Sequence, residues 1–379
     1  MNTDVPERRA RIGSCDSALH EVLAAACLEL AKPIRERNHD VLLFLELQRQ
    51  KYVALAQALS DDGTSPGDNR DSDSAIGSHV QPSTPILVGF CKKPIRIVSI
   101  GGIGDAILLT PVLRALAKLN PQRRIIVWAG NPAHESVFKH NPYVAKLRRV
   151  GRTFEKVYRA LAGHKFLPYV DSTYASFIPT VVYAKHATAI LAEKLGVSLQ
   201  NETPELYLTE PELAKAARTL RSLKRPLVAI HLTAACSANK NWATENWKAL
   251  VSRNRDCTFV QIGGRDEPIV NGAVNLIGAH LRDAFAILKQ CDAFVGVESG
   301  FAHAAAALQT PGVVLFGPST PSVWGHPNNI NMYSRRYCSP CLDLIKEARC
   351  PFSNACMNEL SVPMVEHSLS LITAVRLAR

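Results

Sequence analysis

The sequence predicts an α/β protein: two Rossmann-like domains facing across a cleft, with a helical extension in front of them. Two alternating series carry this prediction. Each opens on an apolar, β-branched strand, a loop of glycine or other small residues, and a helix. The first series starts with "PIRIVSIGGIGDAILL" at residue 94, the second with "PLVAIHLTAACSANK" at residue 226. A third observation sets the extension apart: residues 61–90 are crowded with Ser, Asp, Gly and Pro, the composition of a flexible linker.

Taken in order, residues 1–60 form the helical extension. Within it, 17–58 read as two helices meeting near Lys32-Pro33, with Leu42, Leu43, Leu45, Leu47, Val53, Leu55 and Leu59 at about helical spacing. The linker contains Asp71-Ser72-Asp73, a D-x-D pattern that low-complexity sequence produces by chance. The first Rossmann-like domain is expected over 91–223. It holds a strand "PIRIVSI", the glycine loop, a helix over about 106–119, strands "RRIIVWAG" and "AKLRRVG", a helical stretch 177–196 and a crossing segment 204–210. The second is expected over 224–335, with strands "PLVAIHL", "CTFVQIGG", "DAFVGVESG" and "PGVVLFGP" alternating with helices "ATENWKALVSR", "LRDAFAILKQC" and "FAHAAAALQ". Residues 336–379 are a Cys-rich segment followed by a C-terminal helix.

Apolar residues make up 47% of the chain and charged residues 20%, the balance of a globular protein in water. No apolar run approaches the ~18 residues that span a bilayer. The polar first residues, without an apolar signal-like core behind them, lead to an expected cytoplasmic location, with peripheral contact at the inner face of the inner membrane as the outer limit. The net charge of +11 favours acidic partners. Zinc-finger spacing, RNP aromatics and long Lys/Arg blocks are all missing from the sequence, so nucleic acid is not the expected partner.

The chemistry concentrates in four places. Gly101-Gly102-Ile103-Gly104-Asp105 is neither G-x-G-x-x-G, because Ile107 stands where the third glycine belongs, nor a P-loop. Gly102 and Gly104 permit a tight turn close to a ligand, and Asp105 reads either as a first-turn helix acid or as a general base. Glu298-Ser299-Gly300 joins a strand to an alanine-rich helix, a helix start suited to a diphosphate, with His303 one turn inside. Thr233 and Lys240 lie in a polar loop after a strand, and Lys240 can neutralise a leaving diphosphate. Glu267 follows the glycine turn of "VQIGGRDEP", placed to accept from a ribose diol.

In this order the four pieces resemble glycosyltransferase family 9, the heptosyltransferases of lipopolysaccharide core. The matching residues are Gly104-Asp105 to Pro111, His231-Leu232-Thr233, Lys240-Asn241-Trp242, Glu267, Glu298-Ser299-Gly300, His303 and Leu315-Phe316-Gly317-Pro318-Ser319, spread over about 94–365. Glu298 stands where the family has Asp. The resemblance implies a GT-B architecture and an inverting transfer of heptose from a nucleotide-diphosphate donor, ADP-heptose, to an acceptor hydroxyl. Asp105 and Lys240 would be the catalytic pair, and Gly102, Gly104, Thr233, Glu267, Glu298, Ser299, Gly300 and His303 would bind the donor. It implies no cofactor for the chemistry and a lipid-linked saccharide as acceptor. A protein side chain or a metabolite as acceptor, or a catalytically silent sugar-nucleotide-binding subunit, are the alternatives. The N-terminal helices would then serve as an oligomerisation arm.

Cys338, Cys341, Cys350 and Cys356 fall within about twenty residues, a spacing equally open to structural zinc or iron and to packed thiols. The remaining six cysteines read as core filler.

Overall fold

In the computed structural model, the described residues are 94–99, 101–151, 170–171, 185–334, 336, 338–341 and 349–377. The expected helical extension, the linker and residues 177–184 lie outside them. The described residues within 94–340 and 354–377 belong to one compact unit, and Cys341 and 349–353 belong to another.

The first series gives β1 (Ile95–Ser99), α1 (Ile103–Leu108), α2 (Thr110–Leu119), β2 (Ile125–Ala129), α3 (Pro132–Phe138), β3 (Lys146–Arg149), β4 (Val170–Asp171), α4 (Ala187–Lys194) and α5 (Glu210–Leu220). Its strands pair in parallel in the order β3-β2-β1-β4. The single helix expected over 106–119 is two. Pro111 has no N–H for a continuous ladder, and the chain turns at Leu109 with Thr110 Oγ1 donating to Ile107 O at 2.7 Å. The sequence reading also passed over α3, whose signal is an Asn-Pro start: Asn131 Oδ1 accepts from His134 N at 3.0 Å and Pro132 opens the helix.

The second series gives β5 (Leu227–His231), a 3-10 turn (Ala238–Lys240), α6 (Thr244–Arg253), β6 (Thr258–Gln261), β7 (Val274–Asn275), α7 (Leu281–Gln290), β8 (Ala293–Val297), α8 (Gly300–Ala307), β9 (Gly312–Phe316), α9 (Pro321–Trp324) and β10 (Asn329–Tyr333). Beyond it come α10 (Ala355–Asn358) and α11 (Val362–Leu377). The parallel sheet runs β7-β6-β5-β8-β9-β10. Numbered within its own series this is 3-2-1-4-5-6, the order of a dinucleotide-type sheet.

Both faces of β5 are buried, so the strand reads as an unbroken apolar run. Leu227 and Ala229 join one core that also takes Ile97, Val127 and Phe301, so this core spans both sheets. Val228 and Ile230 face a second core closed by Met357, Val365 and Leu369 from α10 and α11.

Arg282 of α7 ties the two series together. It is 3% exposed and donates to Glu212 of α5, to Ser136 O at 2.8 Å and to Tyr207 O at 2.7 Å. The guanidinium holds the Glu212 carboxyl down at about 2. None of the described helices is long and apolar enough to cross a membrane.

Candidate active site

In open parallel sheets, ligands settle outside the carboxyl ends of the strands where the strand order reverses. The order reverses between β1 and β4 in the first sheet and between β5 and β8 in the second. The residues singled out from sequence gather at those two points.

The loop after β1 is built around Asp105. Its Oδ2 accepts from Gly102 N at 2.6 Å, so the carboxylate reaches back over the start of α1. Gly101 has φ +117, and a Cβ there would lie 2.5 Å from Asp105 Oδ2. Glycine supplies both the backbone angle and the room for the acid. His134 of α3 braces the loop from below, its ring nitrogens lying 3.0 Å from Ser99 O and 3.0 Å from Gly101 O. Asp105 is half-buried, Gly102 exposed and Gly104 half-buried.

The starts of α1 and α8 touch. A Cβ on Gly104 would lie 2.7 Å from His303 Cδ2, and one on Gly300 would lie 3.0 Å from Ile103 Cβ. Side chains at either glycine would force the two helix starts apart. Asp105 from the first series and Ser299-Gly300-His303 from the second are thereby held next to one another.

Around α8 the polar groups interlock. Lys240, 4% exposed, forms an ion pair with Glu298, also 4% exposed. Burial alone would lower the lysine's pKa, but Glu298 and the Cys236 thiol outweigh it and the net shift is upward. The loop carrying Lys240 is fixed at both ends. Ser237 Oγ accepts from Asn239 N at 3.3 Å, and Trp242 Nε1 donates to Leu360 O at 2.7 Å. Thr233 stands half-buried just past β5.

Glu267 is nearly buried. Its carboxylate meets His231 Nε2 at 3.0 Å and accepts from Gly264 N at 3.2 Å and Leu232 N at 3.3 Å. Burial pushes its pKa up, but these hydrogen bonds outweigh burial and hold it below the ordinary carboxylate value. It occupies the space over Gly263, whose φ is +151, repeating the Gly101–Asp105 arrangement on the second sheet.

Two buried histidines, His303 of α8 and His326, lie beside a half-buried third, His186. His303 Nδ1 lies 2.8 Å from His326 Nε2, and the His186 and His326 ring centres are 5.6 Å apart. Burial, then His186 and the Lys240 ammonium, holds His303 down at about 3; burial, then His303 and His186, holds His326 at about 2; and burial lowers His186. All three are therefore neutral near pH 7. If His326 Nε2–H donates to His303 Nδ1, the His303 Nε2–H points toward Glu298 Oε1, 3.8 Å away.

For such groups the unfolded chain binds protons at higher pH than the folded one. Their contribution is complete above about pH 6.5 and is lost as pH falls toward their folded values. The midpoint of thermal unfolding is expected to drop as pH is lowered below 6.5, and His326→Gln is expected to flatten that slope. An unchanged slope would contradict the assignment.

Sequence reasoning gave His231 no role beyond its motif, and it passed over His134, His186 and His326 entirely. A lone histidine in sequence carries no signal of the neighbours that tertiary structure gives it. For the clustered cysteines, no group of three or more His, Cys, Asp or Glu among the described residues is placed to hold a metal ion. Of the two readings left open for these cysteines, zinc or iron thus finds no such group among the described residues. Cys356 instead packs in the second core, with its sulfur 3.2 Å from where a Gly317 Cβ would lie.

A family model described as glycosyltransferase family 9 (heptosyltransferase) matches residues 161–350, half of the chain. The chain belongs to glycosyltransferase family 9. It is thus a glycosyltransferase, and the fold agrees with the family's solved members. The family 9 glycosyltransferase from Veillonella parvula is 18% identical with a TM-score of 0.56, over 74% of this chain and 97% of that one. The Escherichia coli ADP-heptose lipopolysaccharide heptosyltransferase II is 16% identical with a TM-score of 0.54, over 74% and 98%. The iron-containing dodecameric glycosyltransferase TibC of enterotoxigenic E. coli is 17% identical with a TM-score of 0.55, over 74% and 76%. At these identities the likeness is one of fold. No curated protein is matched by this family 9 chain.

Proposed function

We propose that the protein transfers a heptose from ADP-heptose, or a closely similar sugar from a nucleotide diphosphate, to an acceptor hydroxyl with inversion. The acceptor we favour is a saccharide of lipopolysaccharide core, and the two sheets serve as the acceptor-side and donor-side domains of a GT-B enzyme. The observation that carries this reading is the junction of Gly104 with His303 and of Gly300 with Ile103. It sets one carboxylate beside one helix start.

The roles follow from charge and geometry. The N–H groups at the start of α8 and the Lys240 ammonium receive the diphosphate. Glu267, with Thr233 nearby, addresses the nucleoside, and Glu298 and His303 lie beside the sugar. Asp105 takes the proton of the acceptor hydroxyl as its oxygen forms a bond to the anomeric carbon. The bond from that carbon to the diphosphate oxygen breaks on the opposite face, and the ADP leaves with its new charge offset by Lys240. A single displacement uses one carboxylate, and the scheme draws on no metal.

The test is a panel of ADP-, GDP-, UDP- and CMP-sugars, read by calorimetry and by nucleotide release with core-saccharide, protein and small-molecule acceptors. ADP-heptose is expected to bind and turn over, with the core saccharide the best acceptor. Absence of binding and turnover across the panel would overturn the proposal.

A further inference from the structure

His231 takes no part in the chemistry above, yet its ring is held by three neighbours, Glu267, Ser299 and Phe301. It closes β5, is 7% exposed, and its ring tilts against Phe301 with 4.6 Å between centres. Both ring nitrogens are engaged, Nε2 with Glu267 Oε1 at 3.0 Å and Nδ1 with Ser299 Oγ at 3.1 Å. Glu267 belongs to the loop after β6, and Ser299 is the N-cap of α8. One imidazole therefore connects the residue expected at the nucleoside to the residue expected at the phosphates.

At its Glu267 end this connection has one polarity. The Glu267 carboxylate is pinned by the N–H groups of Gly264 and Leu232 and seated over Gly263. A carboxylate in that place accepts, so His231 carries its proton on Nε2. In the neutral imidazole Nδ1 then has a lone pair and accepts a hydrogen bond from the Ser299 hydroxyl. With that proton committed, Ser299 Oγ has one orientation at the start of α8. Turning or removing the Glu267 carboxylate would release His231 and, through it, Ser299.

We infer that His231 is a positioning residue that couples Glu267 to Ser299, so that the two address a nucleotide diphosphate as one unit. The inference rests on the nucleotide-sugar reading of the site and goes beyond it in assigning a shared energy to two separated contacts.

The experiment is a double-mutant cycle on ADP affinity, measured by calorimetry on the full chain. Glu267→Ala and Ser299→Ala are each expected to weaken ADP binding about tenfold, the effect of one charge-assisted hydrogen bond. Together they are expected to weaken it by little more than either alone, because the first change already frees the second residue. In a His231→Asn background, which offers Ser299 an amide oxygen but does not reach Glu267, the two factors are expected to multiply. A structural role for His231 would move stability without creating that coupling. Factors that multiply with His231 present would overturn the inference. ADP affinity unchanged in every variant would overturn the nucleotide reading itself. Should the His231→Asn chain fail to fold, the cycle in the native background decides alone.

Discussion

Lys240→Met is expected to destabilise the protein by about 3–5 kcal/mol, the cost of leaving one partner of a buried ion pair behind. The pair is with Glu298, and both side chains are 5% exposed. Removing the ammonium leaves a carboxylate with a neutral histidine beside it, His303 Nε2 at 3.8 Å, and not a second cation. The double variant Lys240→Met/Glu298→Gln removes both charges and is expected to recover most of the lost stability. It is not expected to recover ADP binding, because the cation that meets the diphosphate is gone. Thermal unfolding and calorimetry on the two variants separate these effects. A double variant that binds ADP as the native chain does would remove Lys240 from the donor site.

The pair also gives meaning to the departure from the family pattern at Glu298. The structure shows the glutamate carboxylate in contact with Lys240 across the gap between the end of β8 and the 3-10 turn. The extra methylene of Glu over Asp gives the acid reach toward the ammonium. At this position Glu298 keeps the lysine charged in a place where burial works to lower its pKa.

Much of this was legible in the sequence, and for definite reasons. Parallel strands buried on both faces are near-continuous apolar runs, so β5, β8 and β9 stand out from their neighbours. Strands β4 and β7 are two residues long, too short to produce any pattern. The split at Leu109 was signalled by Pro111, but a proline in the first turn of a helix looks the same whether or not another helix precedes it. Site residues tied to a helix start or a glycine turn were found because those turns need particular residues: Asp105 with Gly101 and Gly102, Glu267 with Gly263, Ser299 with Gly300. What could not be read was pairing at long range. Nothing in the order of residues says that Lys240 meets Glu298, that His231 bridges Glu267 and Ser299, or that His186 packs by His326.

The acid at the other side of the junction carries the larger kinetic effect. Asp105→Asn keeps an oxygen to accept from the Gly102 N–H, so the start of α1 and its contact with α8 are expected to survive. It loses the capacity to take a proton, and general-base catalysis is worth about 10²–10⁴-fold in rate. Asp105→Ala would lose the same rate together with the turn's hydrogen bond, about 1 kcal/mol, which makes Asn the cleaner substitution. The measurement is the turnover of ADP-heptose and the affinity for ADP, made side by side on the native chain and on Asp105→Asn. Turnover reduced at least about 10²-fold with ADP affinity unchanged is the predicted result. Turnover at the native rate would show that the carboxylate held by Gly102 does no more than begin a helix, and the reading of this junction as an active site would fail.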